Sequence, residues 1–193
     1  ITGDDLMSSA QEIKNMNCKE MFTDNKFPEL NKVASINAYL GAFAISKALD
    51  KGADIVVTGR CVDSAVTLGA CIHAFNWTKS DLDQLAGGSL AGHILECGAQ
   101  ATGGNFTDWE LSKDIHNIGY PIAEISNDGI FEISKLPNTG GLVNVGTVSE
   151  QMLYEIGDPK KYMLPDVICD FSEVSITETV SYTHLRAHET IAN

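Results

Sequence analysis

Asp54-Ile-Val-Val-Thr-Gly-Arg-Cys-Val-Asp-Ser64 is a short β-branched run closed by Gly59 and followed by a cluster of polar side chains. Ile55, Val56 and Val57 read as a strand buried on both faces, the pattern of a parallel sheet covered by helices. Upstream, Val33, Ile36, Leu40 and Phe43 recur at helical spacing, so an amphipathic helix is expected from Val33 to Leu49, stopped near Gly52. Downstream, Val66, Leu68, Ala70, Ile72 and Phe75 predict a largely covered helix over 64–75. Helix, strand, helix is the alternation of an α/β fold with a mainly parallel sheet and right-handed crossovers.

The turn after that strand carries Arg60, Asp63 and Ser64. Asp63 or Ser64 is suited to cap the next helix, and Arg60 beside the positive helix end suits a carboxylate or phosphate ligand. Pairing of Arg60 with Asp63 accounts for the same residues without a ligand.

With 193 residues, 44% hydrophobic and 20% charged, the chain is ordinary for one globular domain with a sizeable core. Its formal net charge of −13, with only 13 Lys and Arg, argues against a nucleic-acid partner. Cys18, Cys61, Cys71, Cys97 and Cys169 are odd in number, show no C-x-x-C spacing and mostly sit within apolar runs, which favours reduced, buried thiols in a cytoplasmic protein. No apolar run reaches the roughly 20 residues of a membrane span, so no membrane partner is expected.

Thr2-Gly3-Asp4-Asp5-Leu6 reads as a loop after a strand, with Asp4 or Asp5 capping a helix. Ser181-Tyr-Thr-His-Leu-Arg-Ala-His-Glu-Thr190 resembles a translated sequencing adapter, so residues 1–180 are taken as one domain fragment and 181–193 as a non-native tail. If the tail is native, His184 and His188 have the i, i+4 spacing of a metal pair.

His73 lies within the apolar helix 64–75, where a hydrogen-bonded core histidine is the expectation. Ser80-Asp81 starts a short helix to Leu85, Gly87-Gly88 should break it, and a second helix is expected over 89–99. That second helix places His93, Glu96 and Cys97 at i, i+3 and i+4. The candidate catalytic set is therefore His93 and Glu96 with Asp108, as an acid–base site. A metal site is the competing reading, although the pattern makes no closed ligand set. Thr102, Gly103, Gly104 and Asn105, and again Thr139, Gly140 and Gly141, form glycine-permitted loops whose N–H groups suit an anion, or else are plain tight turns.

Runs 122–126 and 130–134 flank Asn127-Asp128-Gly129, a strong signal for an antiparallel hairpin near 122–134. Thr147-Val-Ser-Glu150 has capping-box spacing for a helix to Ile156, and residues 166–171 read as a strand.

The phrases Gly52-Ala-Asp-Ile-Val-Val-Thr-Gly-Arg-Cys-Val-Asp-Ser64, Ala91-Gly-His-Ile-Leu-Glu-Cys-Gly-Ala-Gln-Ala-Thr-Gly-Gly-Asn-Phe-Thr-Asp-Trp109, Gly119-Tyr-Pro-Ile-Ala-Glu124, Tyr154-Glu-Ile-Gly-Asp-Pro159 and Leu164-Pro-Asp-Val167 resemble, in their order, the large N-terminal domain of the acyclic terpene utilisation family. The likeness covers roughly residues 1 to 175. It implies a setting in breakdown of branched terpenoid acids through acyl-CoA thioesters, and supplies neither a settled reaction nor a cofactor.

Two functions fit. One is an enzyme in which Arg60 holds the anionic group of a carboxylate or CoA thioester, the Thr-Gly-Gly loops supply donors, and His93 or Glu96 moves a proton. The other is a non-catalytic acyl-CoA-binding or assembly component, acting as a homo-oligomer or beside a partner subunit. Covalent serine catalysis is disfavoured by the lack of a G-x-S-x-G elbow.

Overall fold

The computed structural model of the chain describes residues 1–178 throughout and, beyond them, the backbone of two strands, 185–188 and 191–192. The His184 and His188 side chains lie outside the described residues. The fold is mixed, 39% helix and 15% strand, with small antiparallel sheets rather than the expected mainly parallel one.

The helices are α1 (Ala10–Asn15), α2 (Phe43–Asp50), α3 (Ala65–Phe75), α4 (Leu82–Glu96) and α5 (Val145–Leu153). The strands are β1 (Pro121–Ile125), β2 (Phe131–Lys135), β3 (Tyr162–Met163), β4 (Ile168–Asp170), β5 (Ser175–Glu178), β6 (Leu185–His188) and β7 (Ile191–Ala192). One sheet runs β1-β2-β6-β5 and the other β3-β4-β7, with all pairs antiparallel. Among the described residues, parallel pairing is confined to the isolated bridges Leu40–Cys61 and Ile118–Gly140. No helix among them is long and apolar enough to cross a membrane.

Residues 54–58 form no ladder strand. Ile55 is 84% exposed and Val57 76%, while Val56 alone packs on the core. The β-branched run therefore has one half-buried side chain and two outward ones, the alternation of an edge and not of a strand covered on both faces. Among the described residues, its backbone and that of the following Gly59 bond to the chain start, through Ile1 N to Val57 O at 2.7 Å and Gly59 N to Ile1 O at 2.9 Å.

The helix expected over 33–49 is shortened to α2. Donors ahead of it are spent across the chain, Ala38 N to Asp4 O and Leu40 N to Arg60 O, so that segment stays extended. With no local side chain capping α2, the Asp166 carboxylate accepts from Ala42 N at 2.7 Å over 124 residues of sequence. Burial pushes the Asp166 carboxyl above its usual range even so.

The pair Gly87-Gly88 breaks nothing: α4 is one helix, buried without interruption from Leu85 to Ile94. It packs against α3, α5 and β1, so its helical state is held by tertiary burial rather than propensity. The glycines allow the approach. A Cβ on Gly87 would lie 2.3 Å from Gly129 O, and one on Gly92 would lie 2.6 Å from Ser64 O.

The hairpin forms where expected. Ile125 pairs with Phe131, Gly129 N donates to Ser126 O at 3.0 Å, and Gly129 adopts φ +84°, the geometry of a turn closed by a glycine bulge. Trp77 Nε1 donates to Asn127 O at 3.0 Å and fastens that turn beside α4. The capping box of α5 sits three residues earlier than the spacing suggests, with Asn144 accepting from Thr147 N at 2.8 Å. In the 166–171 run only Ile168–Asp170 pairs as a strand.

Gly87→Ala tests this packing. In an open helix the change would add about 1 kcal/mol of stability. Here the new methyl meets a main-chain carbonyl, so a net loss of about 1–3 kcal/mol is expected. Thermal unfolding followed by circular dichroism reads it, and a raised Tm contradicts the packing argument.

Candidate functional site

Three helix ends meet at a cleft of about 560 Å³. The approach to α3 contributes Cys61 and Asp63, and its first turns Val66 and Thr67. From the last turns of α4 come Gly92, Leu95, Glu96 and Cys97, and Tyr154 and Glu155 close the cleft just after α5. Glu155 has φ 59°, an uncommon conformation for a non-glycine residue and one that collects at functional sites.

Glu96 ends α4 and is almost buried yet lines the cleft; one turn back, His93 lies behind it. His93 Nδ1 is 3.3 Å from Glu96 Oε1, and the histidine is only 2% exposed. Its Nε2 has no hydrogen-bond partner among the described residues. A buried polar atom left in this state is costly and points to function more than to stability. Gln151 on α5, fully buried, donates from Nε2 to the His93 carbonyl at 3.0 Å. The Tyr162 ring stands 6.1 Å from the imidazole, centroid to centroid. Sequence spacing identifies the His93/Glu96 pair; Gln151, Tyr154 and Glu155 carried no local signal because they reach the site only by folding.

The cleft is acidic. Burial first, then the Glu96 carboxylate, raises the Cys97 thiol above its usual range, with Glu155 and Asp63 adding to the effect. Glu155 raises the neighbouring Tyr154 phenol. Tyr162 is raised by burial and then by Glu96. No lysine or arginine is among the described residues lining this cleft.

Other candidates stand elsewhere. Neither Asp63 nor Ser64 caps α3 by its side chain; Ser64 Oγ is buried without a partner among the described residues, and Asp63 faces the cleft instead. Arg60 does not pair with Asp63. Its N–H donates to Asp4 Oδ2 at 2.9 Å and its guanidinium lies 5.6 Å from the centroid of the Tyr39 ring. The carboxylate at this turn is thus Asp4's own, and the hydrogen bond from the Arg60 N–H is the chief cause that holds its pKa below the usual range. Asp108 lines a separate depression of about 270 Å³ with Trp109 and Glu110. His73 is not buried in the core as expected; it pairs with Asp50 at the surface, Nδ1 to Oδ1 at 2.5 Å.

The two Thr-Gly-Gly loops meet each other. Leu142 N donates to Thr102 O at 2.8 Å, and Thr102 Oγ1 to the Gly119 carbonyl. Gly103 N and Gly104 N donate to Gln100 O and Ala99 O; Gly140 N and Gly141 N donate to Asn117 O and Lys113 O. Those four donors are engaged internally, and Gly103 and Gly141 take the positive φ that tight turns require. Asn105 and Thr139 flank the junction, Thr139 Oγ1 donating to Leu136 O at 2.7 Å. Among the described residues, no group of three or more His, Cys, Asp or Glu is placed to hold a metal ion.

Thiol reactivity checks the electrostatics. Burial lifts Cys71 to about 11 and Cys169 to about 12, so both stay protonated at neutral pH. In iodoacetamide labelling read by peptide mass spectrometry, exposed Cys18 should react first, Cys97 more slowly, and Cys71 and Cys169 only on unfolding. Cys97 reacting ahead of Cys18 would contradict an acidic cleft.

No curated protein and no solved structure matches the chain. The sequence model of the acyclic terpene utilisation family protein AtuA matches residues 1–183, nearly the whole sequence. The chain belongs to the acyclic terpene utilisation family.

Proposed function

We propose that the cleft is the acid–base site of an enzyme acting on a branched-chain or terpenoid acid or its CoA thioester. The observation that carries this reading is the His93–Glu96 pair, with Glu96 on the cleft wall and His93 buried 3.3 Å behind it. Family membership supports the metabolic setting. Val66 and Leu95 supply apolar wall for a branched chain, and the volume falls within the roughly 300–1,000 Å³ of small-molecule sites.

Glu96 is the catalytic residue in this reading. It takes a proton from the carbon next to the substrate carbonyl: the C–H bond breaks, the proton passes to the carboxylate, and the electron pair delocalises onto the carbonyl oxygen, to which the Thr67 or Tyr154 hydroxyl on the cleft wall donates a hydrogen bond. Return of the proton completes an exchange or a shift of unsaturation. His93 is a positioning residue that acts through Glu96. Arg60, one residue before the cleft-lining Cys61, is the side chain available to an anionic group outside the cleft. The Thr-Gly-Gly loops support the end of α4 in this reading.

Deuterium exchange at the α-carbon of a branched acyl thioester, followed by NMR in D2O, tests it. Glu96→Gln should slow exchange by about 10²–10⁴-fold while binding persists. His93→Gln should displace the pH profile of the exchange. Exchange by Glu96→Gln at the native rate would end the reading.

The exposed Ile55 and Val57 favour a second reading, a binding or assembly component that docks a partner subunit or another copy along residues 54–58. Under it the native chain gives no exchange, and Arg60→Ala costs more binding than Glu96→Gln.

A further inference from the structure

Asp63 before α3, Glu96 at the end of α4 and Glu155 after α5 turn three carboxylates toward one cleft. The N-terminus of α3 reaches the same wall, with Asp63 one residue before its N-cap Ser64. The C-terminal end of α4 adds negative potential from its carbonyls. The shifts beside the cleft agree with that placement: burial first and then Glu96 raise the Cys97 thiol and the Tyr162 phenol, and Glu155 first, with Glu96 adding least, raises the Tyr154 phenol. An anion placed between these groups is repelled, whereas an oxygen without charge is not.

The cleft also offers partners for such an oxygen. Thr67 and Tyr154 bring hydroxyls to the wall, and Val66 and Leu95 bring apolar surface on which a branched chain can pack. Behind the wall, Gln151 leaves its Oε1 without a partner among the described residues, an acceptor that suits a hydroxyl head and not a carbonyl, and its side chain reaches the Cys97 thiol.

We infer that the cleft takes the reacting end of its substrate as an uncharged carbonyl or hydroxyl on a branched apolar chain and excludes the free carboxylate. The inference rests on the acid–base reading of the same cleft. A CoA thioester satisfies it, because the thioester carbonyl is neutral and the phosphates stand many bonds away, outside the acidic walls. An alcohol satisfies it by the same chemistry.

The test uses the full chain and four ligands that share one branched hydrocarbon: an N-acetylcysteamine thioester, a primary alcohol, a free carboxylate and a primary amine. Calorimetric titration at neutral pH should show the thioester or the alcohol binding about 100-fold more tightly than the carboxylate. Binding by the thioester alone identifies a carbonyl head, and binding by the alcohol alone a hydroxyl head. Combining Asp63→Asn with Glu155→Gln, both at exposed positions, should narrow the gap to about tenfold or less. A carboxylate that matches the thioester overturns the inference. So does an amine that binds most tightly, because the cleft would then be a cation site. Both of those results leave the acid–base reading to the exchange assay, whereas failure of all four ligands to bind removes the two together.

Discussion

The close approach of α4 to its neighbours' main chains is the constraint on which the structure depends. Gly87 lies against the Gly129 carbonyl and Gly92 against the Ser64 carbonyl, at separations that leave no room for a side chain. Gly88 similarly accommodates Leu68 and Trp77. Glycine is a poor residue for a helix interior, and three of them in one helix would destabilise it in isolation. They are tolerated because ten consecutive residues of α4 are buried among α3, α5 and the hairpin. The hydrophobic burial of that passage, with Leu85, Leu90 and Ile94 almost wholly covered, outweighs the propensity loss.

In the proposed reading, function follows from where that helix stops. Its fixed seat carries His93 and Glu96 to the junction with α3 and α5, and Gln151 secures the last turn by its bond to the His93 carbonyl. The 3-10 segment Gly98–Thr102 then leads directly into the first Thr-Gly-Gly loop, which Leu142, just after the second, holds by a main-chain bond to Thr102. Glycines that look like ligand-binding loops thus anchor the end of the helix that bears His93 and Glu96. The charge of the cleft is set by the same convergence, since Asp63, Glu96 and Glu155 belong to three separate elements.

Much of this was legible in the residues, and the misses share a cause. The hairpin was readable because Asn127-Asp128-Gly129 is local turn chemistry with alternating strands beside it. Helix α3 and the i, i+3 relation of His93 to Glu96 were readable for the same reason: a helical period needs no distant partner. Residues 54–58 misled because β-branched side chains do not say how many faces are covered, and only Val56 turned inward. The Val33–Leu49 helix was cut short by hydrogen bonds to Asp4 and Arg60, which no local pattern encodes. Gly87-Gly88 read as a break because propensity was the visible term and tertiary burial the hidden one. The cap of α2 by Asp166 was out of reach for the same reason, since its partners are 124 residues apart.

The most direct test of the central claim, that the junction of α3, α4 and α5 is the functional site, is chemical-shift mapping of the 193-residue chain with a branched N-acetylcysteamine thioester. Labelled methyls of Val66 and Leu95 and the amide of Gly92 should shift together and saturate with one dissociation constant. Shifts gathered instead around Arg60 and Tyr39, or around Trp109, with the Val66 and Leu95 methyls unmoved, would contradict it.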